Sequence, residues 1–101
     1  MYIASLMQNN QARISLSGRF DFNSHREFKQ VCEGPLTEPS VVKVVVDMAE
    51  VDAIDSAALG MLLVLRHRGS AANKRIIIEN CATPVNEVLR LANFQQLFTM
   101  R

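Results

Sequence analysis

The 101-residue sequence lacks an excess of either charge: 11 lysines and arginines face 10 aspartates and glutamates, for a formal net charge of +1. Such a chain has no field with which to gather nucleic acid or anionic lipid, so binding of either by bulk charge is not expected. A long apolar run is missing too. The longest, Ala57 to Leu65, is less than half of the roughly 20 residues that cross a bilayer, and no membrane insertion is expected. No basic stretch followed by an apolar segment opens the sequence, which makes a cytoplasmic protein the expectation.

Cysteine is scarce. Cys32 and Cys81 are far apart, belong to no CxxC or Cys/His pattern, and read as small apolar core residues. The two histidines, His25 and His67, have no metal-ligand spacing either. His67 stands between Arg66 and Arg68 near the end of a helical pattern, where cations complement the helix dipole. Catalytic signatures are equally absent. Ser56 sits in IDSAA with no glycine on either side, unlike the nucleophile elbow GxSxG. No GxGxxG or GxxxxGK[ST] follows a candidate strand, so a nucleotide fingerprint is missing. The acids Asp47, Glu50, Asp52 and Asp55 bracket what reads as a strand-to-helix loop, where carboxylates normally serve as cap and dipole partners. No nucleophile, base and oxyanion donors assemble. The expectation is a non-catalytic protein without metal or cofactor.

What is present is a globular composition, 49% hydrophobic and 21% charged, of a size that makes residues 1–101 one domain. Tyr2 to Met7 is a short apolar stretch, and Gln8-Asn9-Asn10 is a turn signal. Ala12, Ile14 and Leu16 then alternate with Arg13, Ser15 and Ser17, the period of a half-buried strand. Two strands so closely joined should pair antiparallel. A helix is predicted from about His25 to Cys32, capped by Asn23 or Ser24. Glu33 to Ser40, with one glycine and two prolines, reads as a loop.

Val41 to Val46 is the β-branched run of a strand covered on both faces, interior and parallel to a neighbour. Asp47 onward reads as loop, then as a helix ending near Gly69. Arg75 to Glu79 is another strand. Thr83 is placed as the cap of the last helix, with Pro84 at its first position and Asn93 as a left-handed stop after Ala92. The order ββαβαβα predicts an α/β fold with an antiparallel edge hairpin, parallel central strands and helices packed on the sheet.

The stretch DAIDSAALGMLLVLR concentrates the functional question. Ser56 lies at the amino end of a helix, where free amide groups and the positive dipole end would accept a phosphate. Asp55 or Ser56 could equally be an ordinary cap. From Ala57 to Leu65 every position is apolar or glycine, although a helix on a sheet usually buries one stripe. Leu59, Leu62, Leu63 and Arg66 fall on one side, Ala57, Met61, Val64 and Arg68 on the other. One side should face the sheet; the other should leave apolar surface, Met61 included, beside Ser56.

The pattern V-x-x-I-D-S-x-x-L-G, here Val51, Ile54, Asp55, Ser56, Leu59 and Gly60, resembles the STAS domain of the bacterial anti-sigma factor antagonists. The segment LSGRFDFNSHREF, with Leu16, Gly18, Phe20 and Asp21 in matching places, resembles the family's L-x-G-x-[ILF]-D. VNEVLRLANFQQLF resembles its closing pattern, with Asn93 where glycine is common. The three run in order over about residues 10 to 98, and the details look most like stand-alone STAS regulators of proteobacteria, whose outputs include biofilm and motility control.

The resemblance implies the STAS fold and a partner switch. Ser56 would be phosphorylated by a GHKL-type serine kinase that can double as anti-sigma factor, and a PP2C-type phosphatase would restore binding; a further effector protein is a possible target. By position the resemblance puts Asp21 and Asn23 on the loop beside Ser56 and has Asp55 shape the helix start; Ala57, Met61 and Val64, from the small and apolar side of the helix, complete the expected partner-binding set. Ala57-Ala58 departs from the family's frequent Ser-Gly or Thr-Gly, which removes the neighbouring hydroxyl. The alternative is a STAS subunit of an ABC-type lipid transporter, docked on an ATPase without a phosphoswitch. A nucleotide-binding STAS domain is a third reading, for which the sequence offers no phosphate loop.

Overall fold

Asn9 takes a left-handed φ of 58° in the computed structural model, which describes residues 1–101, and turns the chain back on itself within two residues. Strands β1 (Tyr2–Gln8) and β2 (Gln11–Phe20) pair antiparallel around that turn, as their spacing predicts. Asparagine suits the position because its short polar side chain tolerates positive φ. Helix α1 (His25–Thr37) then leads to β3 (Lys43–Ile54), α2 (Ser56–Ala71), β4 (Arg75–Glu79), α3 (Thr83–Leu91) and a two-residue β5 (Thr99–Met100). The sheet order is β1-β2-β3-β4-β5, and every pairing after the hairpin is parallel.

Each β-α-β crossover steps the same way across the sheet, so right-handed connections put all three helices on one face. Buried residues from α1, α2 and α3 accordingly form one 23-residue cluster with Ile14, Leu16, Val44, Val46 and Ile78 of the sheet. Val45 and Ile77 lie outside it, on the opposite face, and are buried all the same. There Arg13 of β2 bridges Asp47 of β3, at 2.9 Å, and Glu79 of β4, which also holds Arg101 at 3.1 Å.

Several elements run longer than the sequence suggests. The predicted loop Glu33–Ser40 is helical as far as Thr37, so α1 contains Gly34 and Pro35. Pro35 removes one helix hydrogen bond, yet Pro35 and Leu36 are both buried, and that packing carries the helix past its breaker. The turn beyond is held by Lys74, whose buried ammonium donates to the carbonyls of Glu38 and Val41 at 2.6 Å each. β3 likewise continues through the predicted loop to Ile54. Its pairing with β2 jumps from Ser15↔Asp47 to Ser17↔Glu50 and from Gly18↔Val51 to Arg19↔Ala53. Each jump inserts an extra β3 residue, and these bulges break the two-residue period that would have revealed a strand. Gly18, between them, has a φ of +98°, a conformation that favours glycine.

The caps also differ. Ser24 stands at the cap position of α1 but makes no side-chain cap bond; the capping carboxylate is that of Asp21, at the 3-10 turn Phe22–Ser24 that precedes α1, whose Oδ1 accepts the Asn23 amide at 2.9 Å. Ser24 is buried, and its hydroxyl turns back to accept from the Asp21 amide and donate to the Arg19 carbonyl. α3 begins at Thr83, one residue before the expected start, with Ala82 at the cap position and no side-chain cap bond. Asn93 has the expected left-handed φ, 61°, and releases the chain into a 3-10 turn, Phe94–Gln96. β5 went unseen because two residues carry no periodicity. Cys32 is buried and its thiol is pushed up to about 12 by that burial. Cys81 is half-buried, also free, and raised by burial to about 11.

Candidate functional site

Asp55 follows β3 directly and caps α2. Its Oδ1 accepts the Ala58 amide at 2.9 Å, and its Oδ2 accepts the Phe22 amide at 3.3 Å. The Asp55 amide in turn donates to the Phe20 carbonyl at 3.3 Å. One carboxylate therefore fixes the start of α2 and clips it to the turn after β2. This is the local reason for an aspartate before Ser56: an N-cap carboxylate both satisfies a free amide and meets the positive dipole end.

Ser56 is the first residue of α2, exposed, with the cap position already filled by Asp55. Its hydroxyl makes no hydrogen bond within the chain. Ala57 beside it is half-buried and Gly60, a turn further on, is exposed with open space where a Cβ would stand. Across the Asp55 clip, Asn23 is exposed, and Asp21 is half-buried with its Oδ2 paired to Arg19 at 3.2 Å. Phe22, between them, is 72% exposed although it is a large aromatic residue.

The remaining two candidates separate. Val64 is 58% exposed, but Met61 is only 7% exposed and belongs to the core. The buried stripe of α2 is Ala58, Met61, Leu62, Leu65 and Gly69. It runs between the two sides drawn from the sequence, so the expected apolar surface beside Ser56 is carried by Val64 and Leu63, and Met61 faces inward. Gly69 lets α2 approach β4: a Cβ there would fall 2.6 Å from Ile76 Cδ1.

Helices α1 and α2 leave an open groove of about 790 Å³ between them, adjoining Ser56 through Ala57 and Phe22. Phe28, Cys32, Met61 and Leu65 line it, with Lys29 and Val64 also along its walls. At one place Arg68 of α2 reaches Glu33 of α1 with both guanidinium nitrogens, at 2.6 and 3.0 Å. That hydrogen bond holds the Glu33 carboxyl below the usual carboxylate range. The groove residues of α1 were not singled out in the sequence. Phe22 in GRFDFNSH was the available signal, an aromatic residue in a polar turn.

Of the four acids around the predicted loop, Asp47, Glu50 and Asp52 lie along β3 and Asp55 follows it. Burial pulls the Asp47 carboxyl upward, but the Ala49 amide, Arg13 and Asn80 outweigh it and hold it below the usual range. Glu50 and Asp52 are exposed, and Asp55 is the cap. No helix is long and apolar enough to cross a membrane.

Comparison with known proteins agrees with this architecture. A family model described as "Mlab, STAS domain" matches residues 3–99. A STAS-domain containing protein of Pseudomonas aeruginosa (strain UCBPP-PA14) is 40% identical over 85 residues, 84% of this chain and 82% of that protein. An anti-sigma factor antagonist from Mycobacterium paratuberculosis superposes with a TM-score of 0.85 at 14% identity, covering 98% of this chain and 83% of its own. The anti-sigma factor antagonist SpoIIAA in its unphosphorylated form gives 0.78 at 18% identity, covering 99% and 87%. Its phosphorylated form gives 0.76 at 15%, covering 99% and 91%. At such identities the structures speak for the fold, a mixed five-stranded sheet with its hairpin edge antiparallel; the family rests on the matched model and the Pseudomonas relative. The chain belongs to the STAS domain family.

Proposed function

We propose that this protein is a non-catalytic partner switch of the anti-sigma factor antagonist type, controlled by reversible phosphorylation of Ser56. The observation that carries the reading is the division of labour at the head of α2. Asp55 makes the cap, which leaves the Ser56 hydroxyl exposed and unengaged at the positive end of the helix. A GHKL-type serine kinase, doubling as target, would dock on Asn23, Ala57, Val64 and the mouth of the groove. Phosphoryl transfer would form the Ser56 Oγ–P bond as ADP departs from the γ-phosphorus of ATP, the hydroxyl proton passing to a base on the kinase. The phosphate adds roughly −1.5 to −2 charges next to the Asp55 carboxylate, at a surface that is otherwise partly apolar. A docked partner would have to desolvate that charge, so the complex would open. A PP2C-type phosphatase would hydrolyse the ester and restore binding.

The test is incubation with the cognate kinase and ATP, followed by peptide mapping. One phosphate on Ser56, with no labelling of Ser56→Ala, is the expected result; full labelling of Ser56→Ala overturns the reading. The second reading, a transporter STAS subunit docked on an ATPase, is favoured by the exposed Phe22 and Val64 beside the groove, which suit a permanent contact. It requires co-purification with an ATPase that Ser56→Asp leaves intact.

A further inference from the structure

The two edges of the sheet are unlike. β5 has two residues, whereas β1 has seven, and its sequence YIASLMQ contains no charge, proline or glycine. Natural sheets protect an exposed edge with lysine, proline, a bulge or a very short strand. β1 has none of these, and its register with β2 runs unbroken from Tyr2↔Ser17 to Gln8↔Gln11. The two-residue turn makes Gln8 and Gln11 a hydrogen-bonded pair. Alternation along an antiparallel ladder then turns the backbone groups of Tyr2, Ala4 and Leu6 toward β2 and those of Ile3, Ser5 and Met7 outward.

Four of the eleven exposed large apolar residues, Met1, Tyr2, Leu6 and Met7, lie on or beside this one strand. Tyr2 and Leu6, 69% and 64% exposed, stand on the sheet face that carries no helix. Their neighbours across β2 are Ser17, which is small, and Arg13, whose guanidinium is drawn away to Asp47 and Glu79. Nothing in the chain covers either side chain.

We infer that β1 is the contact through which two copies of this chain associate, paired antiparallel about a two-fold axis at Ala4. The strand is its own complement. Tyr2 and Leu6 are equally spaced from Ala4, so a two-fold axis there sets Tyr2 opposite the partner's Leu6 and Leu6 opposite the partner's Tyr2. These fall at non-hydrogen-bonded positions, where facing side chains are closest, while Ile3 and Ser5 exchange backbone hydrogen bonds with the partner's Ser5 and the partner's Ile3. The contact is isologous and closes after two copies, giving one continuous ten-stranded sheet from the five strands of each chain. A net charge of +1 per chain opposes this little. The interface is small, so the association is weak, appearing at roughly 10 μM to 1 mM.

Sedimentation of the full chain across that range, repeated for Leu6→Lys, tests the contact, and disulfide trapping tests its register. Wild type is expected to pass from monomer to dimer, and Leu6→Lys to stay monomeric with an unchanged melting temperature. Under mild oxidation Ala4→Cys should trap a covalent dimer, whereas Ser5→Cys and wild type should not. A wild type monomeric throughout, a dimer that Leu6→Lys leaves intact, or trapping at position 5 in place of 4 would each overturn the inference.

Discussion

The Asp55 carboxylate and the Ala58 amide are joined at 2.9 Å, and this bond takes the capping role away from Ser56. Asp55→Ala should therefore lower stability by about 1–2 kcal/mol, since it removes the cap and the clip to Phe22. Ser56→Ala should change the melting temperature little. Thermal denaturation of both variants reads the difference, and equal losses would return Ser56 to a structural role.

In binding, Ser56→Ala and Ser56→Asp should part company. Alanine adds no charge and keeps the protein in its binding state. Aspartate places a negative charge where the phosphoprotein would carry nearly two, which the helix dipole favours in the free protein but a docked partner must desolvate. Calorimetric titration against the kinase should show wild-type affinity for alanine and a loss of about tenfold or more for aspartate, with similar melting curves for both. Equal affinities would leave the switch without support.

Met61 and Val64 offer a contrast on one helix. Met61→Glu puts a carboxylate into the core cluster and should destabilise the fold severely. Val64→Glu changes an exposed position and should leave the fold intact while weakening the kinase complex. If Val64→Glu binds normally, the groove mouth is not the docking surface.

At the helix–strand contact, Gly69→Val should cost about 1–3 kcal/mol by overpacking, because its branched side chain would meet Ile76 and the Lys74 carbonyl. A variant that melts like wild type would mean that α2 can shift away from β4.

Acid should act through Asp47. Its folded pKa lies below the unfolded value, so its stabilisation is complete above the unfolded pKa, near about 4, and is lost as pH falls through the folded one. Wild type should lose stability on acidification below about pH 4, and Asp47→Asn should lose less over the same window. Melting temperatures from pH 7 to 2 measure both; parallel curves would remove Asp47 from the acid limb.

Much of this architecture was legible in the sequence because its signals were local. Alternation in β2, the valine run of β3 and the asparagines at positions 9 and 93 each act within a few residues. What escaped depends on distant partners. Pro35 stays helical because it and Leu36 are packed away, and β3 runs on because β2 supports it through two bulges. At the site, Ser56 and Asp55 announced themselves by position at a helix start. The roles of Met61 and the α1 wall of the groove could not appear until α1 was laid beside α2, since the all-apolar stretch of α2 gives no preferred direction.

Every strand of the sheet lies beside the one synthesised just before it. A chain leaving the ribosome at roughly 5–20 residues per second can therefore add each strand to an edge that already exists. No strand must wait for a later one to be inserted between it and its predecessor, and loop closure never spans more than one helix and its turns. The final Thr99–Met100 pairing comes last in space as well as in time, so assembly can keep pace with translation from the hairpin onward.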